Sequence, residues 1–226
     1  MKAPRQSFAV NRTDLPASLS KRQAIKLVET SYLAATSALI WIALYYFPIG
    51  GAFFRLAMPL PLALLQVRRG NRSCLEGLAL LVLLLIALMG PVRGPLVLFP
   101  YGLLSLWLGW CWHQRLSWWL SWLFGTLLGV FGFLVRVLLL SILVGENLWI
   151  VLTRAGANVL EGFIDLFNLT LTPNFFTIQL IALLLVVFQE VVFVLTLHAV
   201  AYWIFPRLKA SIPDPPRALS SFLILD

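Results

Sequence analysis

The sequence predicts an all-α membrane protein: about six transmembrane helices in one bundle, with an amphipathic helix on the membrane surface. Three observations carry this reading. The 226 residues are 61% hydrophobic and only 12% charged, about half the charged share of a soluble domain. Apolar runs recur at lengths close to those that cross a bilayer. Lys and Arg collect in alternate connecting segments, as they do when short loops fall by turns on the two sides of a membrane.

Residues 1–29 read as a polar N-terminal segment with no adjacent signal-peptidase-like site, so the first span is expected to direct insertion. That span, 30–47, ends at Pro48-Ile49-Gly50-Gly51, residues that stop a helix and turn the chain. The second, 52–67, is short and carries Arg55, Pro59 and Pro61, so a kinked helix is expected. The third, 75–89, leads through Gly90-Pro91-Val92-Arg93-Gly94-Pro95 into a fourth, 96–112. After His113-Gln114-Arg115 comes a fifth, 118–143, and the sixth, 175–205, is long enough to tilt or to project beyond the hydrocarbon layer. Residues 206–226 form the tail.

The stretch 144–174 is apolar enough from Leu148 to Leu171 to suggest another crossing. It also holds Arg154, Asn158, Glu161, Asp165 and Asn168 at spacings of three or four residues, which marks one polar helix face. An amphipathic helix on the outer surface fits that pattern. A seventh span would also move the basic tail to the outside.

Orientation follows from the cations. With the N-terminus cytoplasmic, the inner segments hold Lys2, Arg5, Arg12, Lys21, Arg22, Lys26, Arg68, Arg69, Arg72, Arg115, Arg207, Lys209 and Arg217. The outer segments hold Arg93 and Arg154, and Arg55 and Arg136 lie within spans. This asymmetry places both termini in the cytoplasm. It also accounts for the net charge of +8 without nucleic acid, because the basic residues sit beside spans, where topology and anionic lipid use them.

The sequence contains no P-loop, HExxH, GxSxG or Gly-rich dinucleotide turn, so an ATPase or hydrolase, and an enzyme generally, is not expected. Cys74 and Cys111 fall near the inner face without His or acidic companions at ligand spacing. They read as packing residues, with no metal or other cofactor implied. Trp107, Trp110, Trp112, Trp118, Trp119 and Trp122 surround the inner turn, as an interfacial aromatic belt would. The sequons at Asn11, Asn71 and Asn168 read as chance matches.

Ionisable groups within spans are costly and mark functional paths, which makes Arg136, Arg55 and Glu190, with Gln189 beside it, the candidate substrate-binding residues. Arg55 and Arg136 both reach the outer third of the membrane and suit bidentate capture of a small anionic solute. The competing readings are snorkelling to headgroups or, for Arg136, pairing with Glu146, Glu161 or Asp165. Glu190 lies near mid-membrane, about 10 Å from the depth of Arg136 by helical rise, so a direct pair needs tilt or a helix break. His198 shares its helix face and reads either as part of a proton path or, more simply, as a packed histidine. Small residues recur at Ala34 and Ala38, at Gly102, Ser105 and Gly109, and at Gly125, Gly129 and Gly132, where helices can approach closely. Their role is either packing within the bundle or, for Ala34 and Ala38, docking a partner subunit.

The run Phe47-Pro48-Ile49-Gly50-Gly51, followed by Met58-Pro59-Leu60-Pro61-Leu62 and Arg68-Arg69-Gly70, resembles the N-terminal region of the YybS-like family of predicted bacterial membrane proteins. That family is in turn similar to the substrate-binding (S) components of energy-coupling-factor vitamin transporters, which have six spans and an AxxxA pattern in the first, matched here by Ala34 and Ala38. The resemblance implies a multi-pass protein of the bacterial inner membrane that captures a small solute and depends on an energising membrane module as its partner. The alternative is a non-transport scaffold or assembly factor similar to small cell-shape membrane proteins, with a membrane enzyme third. A cavity lined by Arg55 and Arg136 would favour solute binding, and a dry bundle would favour the scaffold.

The expected topology is testable by cysteine-accessibility labelling. Single cysteines at Asn11, Asn71 and Ser211 should react only from the cytoplasmic side, and those at Gly94 and Asn168 only from the other. Labelling of Ser211 from outside would rule out an even number of spans.

Overall fold

The computed structural model describes residues 20–47, 49–167 and 174–216. Residues 1–19 of the expected polar segment 1–29, Arg217 and the sequons at Asn11 and Asn168 lie outside them. Among the described residues the chain is a set of helices without strands: α1 (Lys21–Tyr46), α2 (Gly51–Ala57), α3 (Leu60–Arg69), α4 (Asn71–Met89), α5 (Tyr101–His113), α6 (Trp118–Val144), α7 (Leu148–Phe167) and α8 (Phe175–Ile204). A 3₁₀ turn, Pro95–Leu98, precedes α5. Five helical stretches are long and apolar enough to cross a membrane: α1, α4, Pro95–His113, α6 and α8. The all-α membrane architecture is as expected.

α1 begins earlier than the apolar run does. Ser20 caps it, its hydroxyl accepting from the Gln23 amide at 3.3 Å while the Gln23 side chain accepts from the Ser20 amide at 3.0 Å. Apolarity marks what can enter lipid, whereas the cap marks where hydrogen bonding starts.

The expected second span is two helices, α2 and α3, separated at Met58 and Pro59. Pro59 and Pro61 supply no amide hydrogen to the preceding turn, so the ladder cannot run through. α3 is deeply placed, with every residue from Pro61 to Gln66 buried, and it packs on α1, α4 and α5. Its contact with α5 is set by Gly109, where an added Cβ would lie 2.8 Å from Gln66 Cβ and 3.1 Å from Ala63 Cα.

Small residues bring the other helices together in the same way. A Cβ at Gly125 would meet Val194 at 3.0 Å, and one at Gly129 would meet the Glu190 carboxylate at 2.5 Å. Numbers that rise along α6 as they fall along α8 define an antiparallel pair. Gly132 lies against the backbone of Pro100, with 2.7 Å from its built Cβ to Pro100 Cα. Ala34 and Ala38 are likewise buried within the chain's own bundle. They pack α1 against its neighbours, and the docking role expected of an external AxxxA face is not available to them. Two of the tryptophans expected in an interfacial belt, Trp112 and Trp118, are also core residues, because their rings enclose His198.

One end of the bundle gathers the segments that the cation pattern groups together. Glu29 of α1 takes ion pairs from Arg68 and Arg69 of α3, and Glu76 of α4 pairs with Lys26 at 3.8 Å and Arg72 at 3.1 Å. His113 meets the Val67 carbonyl at 3.1 Å. The chain after α8 returns to the same end, where Arg115 donates to Ser211 and the Trp118 indole donates to the Pro213 carbonyl. α7 packs on α8 and α6, with Gly156 against Ala182. Its outward face includes Arg154, Asn158 and Glu161, and the Asp165 side chain is outside the described residues.

These contacts predict unequal costs for adding one methyl group. Gly132→Ala must displace backbone and should cost about 1–3 kcal/mol, the usual range for overpacking. Gly162→Ala meets open space and should be neutral or stabilising by up to about 1 kcal/mol through helix propensity. Thermal unfolding in detergent would show the difference, and equal midpoints would contradict the α6 packing described.

Candidate functional site

The site is assembled at the helix break. Because α2 stops at Ala57, Arg55 sits in the last turn of a short helix rather than in the middle of a span. α5 starts at Tyr101, immediately after the Pro100 that Gly132 receives. Close approach of α6 and α8 then places Phe133 and Arg136 beside Gln189, Glu190 and Phe193. Together these residues line a cavity of about 240 Å³, with Leu56, Val192 and Thr196 completing its walls.

All four residues expected to contact substrate, Arg55, Arg136, Gln189 and Glu190, border this one cavity. The two arginines are held by aromatic groups. Arg55 Nε donates to the Tyr101 hydroxyl at 3.2 Å, and Arg136 Nη2 donates to the Tyr45 hydroxyl at 3.2 Å. The Arg136 guanidinium also lies 5.3 Å from the Trp41 ring centroid and 5.8 Å from that of Tyr101, both within the ~6 Å reach of a cation–π contact. Trp41 and Tyr101 in turn meet edge-on at 5.7 Å.

Among the described residues neither arginine forms an ion pair. Pairing of Arg136 with Glu146 or Glu161 is therefore corrected: neither acid lines the cavity, whose polar wall comes from Gln189 and Glu190 of α8, and the Asp165 side chain is outside the described residues. Glu190 is buried, 4% exposed, and its Oε2 has no hydrogen-bond partner among the described residues. That oxygen lies against Gly129, the one residue type that leaves room for it. Arg136 and Glu190 share the cavity and form no ion pair.

His198 stands apart from the cavity. Its Nδ1 lies 2.8 Å from the Val194 carbonyl, which can only accept, so Nδ1 carries the proton. In the neutral ring Nε2 then accepts from the Ser121 hydroxyl at 2.9 Å. Trp112 and Trp118 enclose it, and this is the packed histidine of the two readings. Cys74 and Cys111 are buried, and the Cys74 thiol donates to the Leu62 carbonyl at 3.3 Å.

Sequence reasoning missed Trp41, Tyr45 and Tyr101. A signal existed for Tyr101: it falls near the outer end of the fourth span, at the depth expected for Arg55, and a phenol there offers a cation within a span an acceptor. Interfacial aromatics are so frequent in membrane proteins that depth alone did not single it out.

A family model described as "Predicted membrane protein (DUF2232)" matches residues 34–220, and the chain belongs to that family. The match covers every residue of the cavity. No curated protein and no solved structure matches the chain.

The contacts of Tyr101 separate the role of its ring from that of its hydroxyl. Tyr101→Phe keeps the ring and should cost about 0.5–1.5 kcal/mol, as for one hydrogen bond. Tyr101→Ala should cost about 3–5 kcal/mol, as for loss of a buried aromatic. Equal losses in detergent unfolding would mean that the ring contacts to Trp41 and Arg136 carry little.

Proposed function

We propose that this member of the DUF2232 family is the solute-binding membrane subunit of a small-solute transporter, similar in type to the S components of energy-coupling-factor systems. The observation that carries the reading is a cavity in which two arginines are positioned but not consumed. A scaffold that uses buried charge to lock helices would pair its arginines with carboxylates. Here phenols and an indole hold them instead, and these neutral partners leave guanidinium donors for a ligand. A cavity just below the ~300–1,000 Å³ usual for drug-sized ligands suits a small solute.

In this reading Arg55 and Arg136 bind the anionic group of the solute, and Gln189 and Glu190 orient the remainder. Both termini face the cytoplasm of a bacterial cell, the cavity opens toward the outer half of the inner membrane, and the broken α2–α3 segment completes a sixth crossing. Without a nucleotide-binding motif of its own, the subunit takes its energy from partner membrane proteins.

Purification in mild detergent, followed by mass spectrometry of released small molecules and bound proteins, tests the proposal. Wild-type protein should release an anionic small molecule. Arg136→Gln and Arg136→Lys should each lower it about tenfold or more, because Lys keeps the charge but loses the planar fork. Equal recovery from both variants at normal abundance would remove the anion site and favour the scaffold.

A further inference from the structure

The two arginines do not explain Glu190. A site built for a simple anion gains nothing from a carboxylate in its wall, and a buried carboxylate that lacks hydrogen bonds is a cost unless something supplies them. Several features show that it belongs to the site. It borders the cavity with both arginines and is almost fully buried, with Oε2 turned against Gly129 and without a hydrogen-bond partner among the described residues. Gly129 also leaves space for it that any Cβ would fill. The arginines approach from α2 and α6, whereas Glu190 lies on α8, and no ion pair joins them.

We propose, building on the solute-binding reading above, that the ligand is a small amine-bearing acid, with acidic groups held by Arg55 and Arg136 and an ammonium group held by Glu190. Two guanidinium groups against one carboxylate leave the wall with a net positive charge. The complementary molecule therefore carries more acid than amine, as an amino dicarboxylate or a phosphorylated amine does. The ammonium supplies the donors that Glu190 lacks, and the anionic end takes the guanidinium N–H groups not used on Tyr45 and Tyr101. Because charges of both signs line one cavity, a molecule that carries both groups gains from the tether, which a free anion and a free cation would lack.

Two pairs of probes test this, each differing by the amine alone: L-glutamate against glutarate, and phosphoethanolamine against ethyl phosphate. Binding to purified protein in detergent is followed by calorimetry. In at least one pair the amine-bearing member should bind about tenfold or more tighter, the scale of a hydrogen-bonded charge contact. The responding pair tells carboxylate from phosphate. Glu190→Gln should bring the ratio within about twofold of unity, and Arg136→Gln should weaken both members of the pair. If the Gln variant does not fold, Glu190→Asp keeps the charge but shortens its reach, and the ratio should fall about threefold or more.

Equal binding of both members to wild-type protein, binding of neither member in either pair, or a preference that survives at Glu190→Gln overturns the amine inference. If equal binding is accompanied by sensitivity to Arg136→Gln, the anion-site reading stands without it. If Arg136→Gln changes nothing, the solute-binding reading itself fails.

Discussion

A guanidinium placed among apolar helices must find partners, and the structure is organised around how Arg136 finds them. Trp41 and Tyr45 come from α1, Tyr101 from α5, and Arg136 itself from α6, so one cation ties three helices at the same level. Cation–π contacts contribute about 0.5–2 kcal/mol from exposed to desolvated sites, enough to matter in a marginally stable bundle. A carboxylate partner would have held Arg136 more tightly and neutralised it. Aromatic partners hold it while leaving its field intact, and Tyr101 extends the same arrangement to Arg55.

The arrangement depends on close backbone approach elsewhere. Gly129 and Gly132 occupy successive positions on one face of α6, the first against Glu190 and the second against Pro100. Pro100 precedes Tyr101, so the contact at Gly132 helps fix where Tyr101 begins α5. The break at Met58 and Pro59 has a complementary effect. It frees α2 to bring Arg55 to the cavity while α3 remains buried among α1, α4 and α5. Packing in the two halves of the molecule thus serves one site. Large side chains on the outward faces of α4, α6 and α8, such as Leu83, Leu138 and Phe188, remain exposed in the absence of lipid and give the bundle the apolar exterior of a membrane protein.

Much of this was legible in the sequence because the relevant physics is local. Apolar length, prolines within the second segment and cations grouped by segment are each properties of short stretches, and they point to the apolar helices and to the break in the second segment, whereas α1 begins at Lys21, well before its apolar run, because Ser20 caps it there. The ionisable groups at membrane depth, Arg55, Arg136 and Glu190, stood out because their cost in lipid depends on residue type more than on fold. Ala34 and Ala38 were harder: small residues at a spacing of four announce a close contact, but whether the contact lies inside the chain or with a partner depends on which face of α1 is covered. The same holds for Trp112 and Trp118, whose affinity for the interface yielded to the packing of His198.

The sequence by itself determined an all-α membrane protein, its main helices and the handful of charged residues that lipid would not tolerate without purpose. Only the tertiary structure decided that those residues share one cavity, that aromatic rings rather than acids hold the arginines, and that Glu190 Oε2 has no hydrogen-bond partner among the described residues. The reason is physical. The cost of burying a charge is set where the residue enters apolar surroundings, but its compensation comes from side chains dozens of residues away, brought near by helix contacts whose pairing no local pattern encodes.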